Sequence, residues 1–191
     1  MSIRVACLAL LSTALLITGC NKTSGDAPAN SQAPGGNVAT AAGGKSPPVD
    51  FMATDACAVV DKAAMAAIVG QAVSETHLGM VSESDGTSAA TSECKYTLSN
   101  GDEASVMLRW SPIDDNTEES INLTRNSMEQ TLKAFGGKVE VIDGLGKAAF
   151  WAGMSRSLNV FIGEDKFAII TIPGGTEAKD QATQLAHKLG A

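Results

Sequence analysis

The sequence predicts an α+β domain, an antiparallel sheet with helices packed on it, and three observations carry that reading. Two runs of strict alternation, Cys94-Tyr96-Leu98 and Ala104-Val106-Leu108-Trp110, flank the hairpin dipeptide Asn100-Gly101. Helix-spaced apolar residues with capping signals occur in three separate places. The resulting order is helix, two strands, helix, four strands, helix, which lacks the regular βαβ alternation of a doubly wound fold. Size agrees, since 191 residues at 44% hydrophobic and 18% charged suit one ordinary domain with a tail.

Before that domain the chain carries two segments of different character. Arg4 supplies a positive charge, Val5 to Ile17 is apolar with small interruptions, and Thr18-Gly19-Cys20 follows, the pattern of a secretory signal. The apolar run falls short of the ~20 residues of a comfortable bilayer span. Ile17-Thr18-Gly19-Cys20 resembles the lipobox of bacterial lipoproteins. That resemblance implies cleavage before Cys20, lipidation of its thiol and acylation of the new amino group with chains such as palmitate, two or three of which anchor stably where one is marginal. A cleaved signal or a short anchor with an incidental cysteine is the plainer alternative. Asn21 stands where an Asp commonly retains such proteins at the inner membrane. The implied location is therefore the cell envelope: the periplasmic side of the outer membrane in a two-membrane organism, and otherwise the outer face of the plasma membrane.

Residues 20–49 supply the lipidated cysteine and a linker of Ala, Gly, Pro, Ser, Asn, Gln and Thr, charged only at Lys22, Asp26 and Lys45. Such a composition cannot offset its ordering entropy and predicts a disordered tether. Its ends would lie about 30 Å apart on average. With residues 1–19 removed, loss of Arg4 from 14 basic side chains leaves 13 against 21 acidic, a net charge of −8. Nucleic acid is excluded as a partner by that field, and the membrane is met through the lipid alone.

The domain proper spans residues 50–191. Asp61 caps a short helix carrying Met65, Ile68 and Val69 on one face, and Gly70 stops it in the left-handed region. Ser82 to Ser92 reads as a Ser/Gly/Thr-rich loop with little apolar content. The hairpin follows. A two-residue turn would set Leu98 against Glu103 and Tyr96 against Ser105, so the apolar faces would disagree. A three-residue connection with Gly101 or Asp102 in the left-handed region aligns them. Trp110 then points inward, while periodicity does not decide Trp151.

Asp115 or Asn116 starts the longest helix, with Glu118 and Glu119 at its positive end, Lys133 at its negative end and Gly136-Gly137 beyond it. Ile121, Met128, Leu132 and Phe135 make its apolar stripe. Strands are expected over Lys138 to Asp143, Ala148 to Trp151 and around Leu158, Val160 and Ile162. Phe167 to Ile172 is apolar on both faces, which suits a central strand. Thr176 caps a closing helix with Ala178, Ala182, Leu185 and Leu189 inward.

Cys57 and Cys94 remain once Cys7 is lost with the signal and Cys20 is lipidated. Two thiols in an oxidising compartment most simply form one disulfide, and their spacing is unlike the close pair of a redox site. The surrounding motifs are Asp55-Ala56-Cys57-Ala58-Val59-Val60-Asp61, Ile68-Val69-Gly70, Cys94-Lys95-Tyr96 and Gly144-Leu145-Gly146-Lys147-Ala148. Over most of Asp55 to Ala191 they resemble a group of bacterial envelope lipoprotein domains of unknown function. Those domains often carry Asp where this chain has Lys147. The resemblance implies a disulfide and a non-enzymatic role.

Other candidate sites are sparse. Gly144-Leu145-Gly146 with Ala149 fits a dinucleotide fingerprint formally, but that motif must open a helix and here a strand follows. His77, in an expected loop, and His187, in the last turn of the closing helix, are the only histidines, and a metal needs three or four converging ligands. Asp114, Asp115, Glu118 and Glu119 could hold Ca²⁺, yet lack EF-hand spacing and read more simply as a helix start. No catalytic residue, cofactor or metal is therefore expected. The function expected is a lipid-anchored, non-catalytic envelope domain that binds another envelope component, a protein. Its alternatives are an envelope hydrolase using His77 or His187 as base and a passive structural surface lipoprotein.

Overall fold

Local chemistry fixes the first elements of the computed structural model, which describes residues 45–191. The expected signal segment, Cys20 and residues up to 44 lie outside the described part. Asp55 accepts from Ala58 N and begins α1, Ala56–Val59. Asp61 accepts from Ala64 N and begins α2, Lys62–Val69, which Gly70 ends at φ 70°. Met65, Ile68 and Val69 are buried on it, as the sequence predicts. The remaining elements are β1 (Val73–Ser82), β2 (Ala90–Leu98), β3 (Glu103–Trp110), α3 (Glu118–Lys133), β4 (Val139–Val141), β5 (Ala148–Ala152), β6 (Ser157–Ile162), β7 (Lys166–Thr171) and α4 (Ala178–Lys188).

All seven strands form one antiparallel sheet in the order β1-β2-β3-β7-β6-β5-β4. Two meanders, β1-β2-β3 and β4-β5-β6-β7, are joined by α3 and closed by pairing of β3 with β7. The doubly apolar segment 167–172 thus supplies the centre of the sheet, as expected of it. Tyr96 pairs with Ala104 and Cys94 with Val106, the register of the longer hairpin turn. Gly101 carries that turn at φ 86°.

Strand β1 departs from the sequence reading, which gave two strands before the long helix and placed His77 in a loop. Val73, Thr76 and Leu78 pair across to the buried Leu98, Tyr96 and Cys94 of β2, but a register shift after Val73 breaks the spacing, so β1 shows no sustained apolar alternation. As an edge strand it is held by its ladder more than by burial. The loop left between β1 and β2 runs from 83 to 89. Asp85 organises it by accepting from Ser88 N at 2.7 Å and Thr87 N at 3.0 Å, and these bonds hold its carboxyl well below the usual range.

Helix α3 starts two residues later than Asp115 and one later than Asn116, with Thr117 accepting from Ser120 N. Both expected caps are engaged elsewhere: Asp115 binds Arg109, and Asn116 Nδ2 donates to Gly163 O and Lys166 O. Phe135 is 72% exposed instead of completing the stripe, because the helix ends at Lys133 and a turn through Gly136 carries Phe135 off the buried face. Glu177, without a side-chain cap bond, precedes α4 in place of Thr176. The inward residues of α4 are buried as expected.

The two sheet faces differ in cover. One carries the rows Leu78-Cys94-Val106-Ile170-Leu158-Trp151 and Ser92-Leu108-Ala168-Val160-Ala149, and α1, α2 and α4 pack on it to form the main core. Trp110 and Trp151 both belong to that core. The other face carries Glu93-Met107-Ile169-Asn159-Phe150 and Thr91-Arg109-Phe167-Phe161-Ala148. Among the described residues only α3 packs there, with Ile121 against Phe150 and Phe161 in a second, smaller core.

Candidate functional site

Helix α3 lies over the β4–β5–β6 side of its sheet face, reaches the margin of β7, and leaves the β1-β2-β3 side without cover from any element of residues 45–191. Met107 stands on this bare half, and Ile169 and Phe167 stand between it and α3; all three are half-buried. Around them lie Thr91, Glu93, Lys95, Ser105, Arg109 and Thr171, with His77 beyond Lys95 on β1. An apolar centre within a mixed polar rim is the anatomy of a protein-binding patch. The adjacent β1 edge is less suited to adding a strand. Its ladder shifts between Val73 and Glu75 and again between Gly79 and Ser82, and Met80 sits there at φ 52°. Such bulges turn an edge away from further pairing.

Where α3 meets the bare half, a groove runs between them. Ser120, Thr124, Ser127 and Thr131 recur at helical spacing along its α3 wall. Toward the start of α3 a hollow of about 190 Å³ is lined by Arg109, Asp115, Asn116, Phe161 and Phe167. Asp115 receives two bonds from the Arg109 guanidinium, one of them at 2.9 Å from Nη1, which holds its carboxyl below the usual carboxylate range. Toward the end of α3 a cleft of about 260 Å³ is lined by Ser127, Met128, Leu132, Ser157, Asn159 and Ile169 among others.

The chain matches no protein-family model, no curated protein and no solved structure.

The residues singled out in the sequence are dispersed. Cys57 and Cys94 form a disulfide with Cα atoms 5.0 Å apart. Flanking them, Ala56 N donates to Ser92 Oγ at 2.8 Å and Tyr96 Oη donates to Val60 O at 2.6 Å, so three alternate residues of β2 hold α1. Burial pushes the Tyr96 hydroxyl up, so it stays a donor. His77 is exposed on β1, and the Nδ1 of His187, in the last turn of α4, lies 3.0 Å from Ala191 O. The acidic quartet is split: Asp115 faces Arg109, Asp114 pairs with Lys45 at 2.5 Å, and Glu118 and Glu119 occupy the first turn of α3. Among the described residues no group of three or more His, Cys, Asp or Glu is placed to hold a metal ion.

Gly144-Leu145-Gly146 makes a turn that buries Leu145 and leads into β5, a strand. A Cβ on Gly146 would lie 2.4 Å from Phe161 O, so the glycine serves a close backbone approach. Sequence reasoning missed both the bare half-sheet and Asn159. The alternation of Leu158, Val160 and Ile162 marks Asn159 only as the other face, and nothing local says that α3 stands over it.

Proposed function

We propose that this chain is a lipid-anchored, non-catalytic protein of the bacterial cell envelope whose domain binds another envelope protein through the uncovered half of its sheet. The observation that carries the reading is the contrast between the two faces: three helices pack on one, whereas among the described residues no helix reaches Met107 on the other, and Ile169 and Phe167 beside it are only half-buried at the margin of α3. An apolar centre of this kind gains by burial against a partner, and its rim of Glu93, Lys95 and Arg109 supplies register and specificity. The lipobox-like Ile17-Thr18-Gly19-Cys20 and the low-complexity segment after it support the anchoring part, since together they would hold such a face off a membrane at the reach of a ~30 Å tether. Acidic balance supports a protein partner over nucleic acid.

The hydrolase reading lacks comparable support. A histidine base needs a nucleophile within hydrogen-bond reach and a group that orients the ring, and His77 and His187 stand on an edge strand and a helix end with no such bond to a serine or carboxylate among the described residues. The test is site-specific photocrosslinking in intact cells from Lys95 and Ser105 on the bare face and from Gln184 on exposed α4. One discrete protein adduct from the first two positions, abolished by Met107→Glu and absent from Gln184, is expected. No adduct, or equal adducts from all three, would overturn the proposal.

A further inference from the structure

We propose that the cleft between α3 and strands β6 and β7 binds an acetamido group, the N-acetyl substituent of an amino sugar. Asn159 carries the argument. It is 8% exposed, lines the cleft, and its carboxamide is hydrogen-bonded to no group among the described residues. With no protein partner and only a small opening to the cleft, the carboxamide has its donors and acceptor free for whatever occupies that cleft, and its cross-strand neighbours on the same face, Phe150 and Ile169, are apolar. The group therefore points to a ligand that completes it.

The lining chooses the ligand. Ser127, Met128, Thr131, Leu132, Ala152, Ser155, Ser157, Asn159 and Ile169 include no charge, so a carboxylate, phosphate or ammonium would enter without a counter-ion. A primary carboxamide presents a donor and an acceptor side by side, and the complementary arrangement is the C=O and N–H of another amide. Met128, Leu132, Ala152 and Ile169 supply an apolar pocket for the methyl group attached to it. Ser155 Oγ and Ser157 Oγ bond each other at 2.7 Å, and Ser155 Oγ lies 3.4 Å from Ala152 O, so what they offer a hydroxyl beside the amide is their remaining lone pairs. Thr131 is occupied, its hydroxyl donating to Ser127 O.

A peptide fits less well, because each further residue brings another amide that needs its own partner, and this cleft offers one carboxamide and several hydroxyls. A volume of about 260 Å³ suits a single substituted ring more than a drug-sized molecule. Among the described residues no aromatic side chain lines the cleft to stack on a sugar face, so the affinity expected is about millimolar. This inference goes beyond protein binding and uses neither Met107 nor Lys95.

The test is a titration of the isotope-labelled full chain in detergent, followed by amide NMR, with N-acetylglucosamine, glucose, glucosamine and an Ala-Gln dipeptide. N-acetylglucosamine should shift the Asn159 side-chain NH₂ and the backbone amides of Ser127 and Ser157 saturably, while glucose should not. Asn159→Leu should abolish the shifts and leave Tm unchanged or higher, because the fold does not use the carboxamide. Ser127→Leu, which fills the cleft from the exposed wall of α3, should abolish them independently. Absence of saturable shifts with N-acetylglucosamine, equal shifts with glucose, a response to the dipeptide alone, or a fall in Tm on Asn159→Leu would each overturn the assignment.

Discussion

Replacing Cys57 by Ser and Cys94 by Ala removes the disulfide while leaving Ser92 and Tyr96 to hold α1 and the segment that follows it. The two cysteines are 37 positions apart. In the chain-entropy treatment, freeing a loop of that length returns about 4 kcal/mol of stability to the unfolded ensemble at 25 °C. At the usual entropy of unfolding for ~150 residues this lowers Tm by about 8–16 °C. Because the flanking bonds from Ala56 N to Ser92 and from Tyr96 to Val60 O remain, the native spectrum at 25 °C should be unchanged. Differential scanning calorimetry of the double variant beside the parent reads the shift, and near-UV circular dichroism reads the fold. A Tm loss of only 1–2 °C, below the roughly 2–4 °C that 1 kcal/mol gives at this size, would refute the entropic account. A variant already unfolded at 25 °C would show instead that the bridge, and not the flanking bonds, holds α1 to β2.

Acid should weaken the domain through Asp115. Its folded pKa is depressed by Arg109, so its contribution is present above about pH 4, the ordinary carboxylate value, and is lost as pH falls through the lower folded value; Asp115→Asn should flatten that part of a urea stability profile. Gly146→Ala should cost about 1 kcal/mol or more and exceed the cost of Gly144→Ala in chemical denaturation, because both are at positive φ but only Gly146 has Phe161 O in the way of a Cβ. Cys20→Ala should accumulate precursor and move the protein out of the membrane fraction, and unchanged attachment would contradict lipidation at that residue.

What was legible in the sequence was local. Asp61 and Gly70 mark the ends of α2 because a cap and a left-handed stop are made by residues within the same few turns. The three-residue turn at Ser99-Asn100-Gly101 is legible because only one register puts Tyr96 and Val106 on the same side. Strand β1 was not legible, since an edge strand with His77, Gly79 and Ser82 in it relies on hydrogen bonds to β2 that no periodicity records. The sequence places the start of α3 too early because Asp115 and Asn116, both good caps, are drawn away by Arg109 and by carbonyls almost 50 residues along the chain. The candidate site shares that difficulty. Met107 and Asn159 lie in the same cross-sheet row, yet Met107 is half-buried beyond the reach of α3 and Asn159 lies beneath it, and the difference is set by where a single helix lies on a seven-stranded sheet.

The most direct test of the bare face as a docking surface needs no substitution. Methionine oxidation reports the accessibility of each thioether, and Met107 at the centre of the face can be compared with Met154, which is 56% exposed on the turn after β5. Brief peroxide treatment of intact cells and of the purified protein, read by peptide mass spectrometry, gives the ratio of oxidation at Met107 to that at Met154. A partner seated on the sheet lowers that ratio several-fold in cells relative to the purified protein. An identical ratio in both would contradict the account.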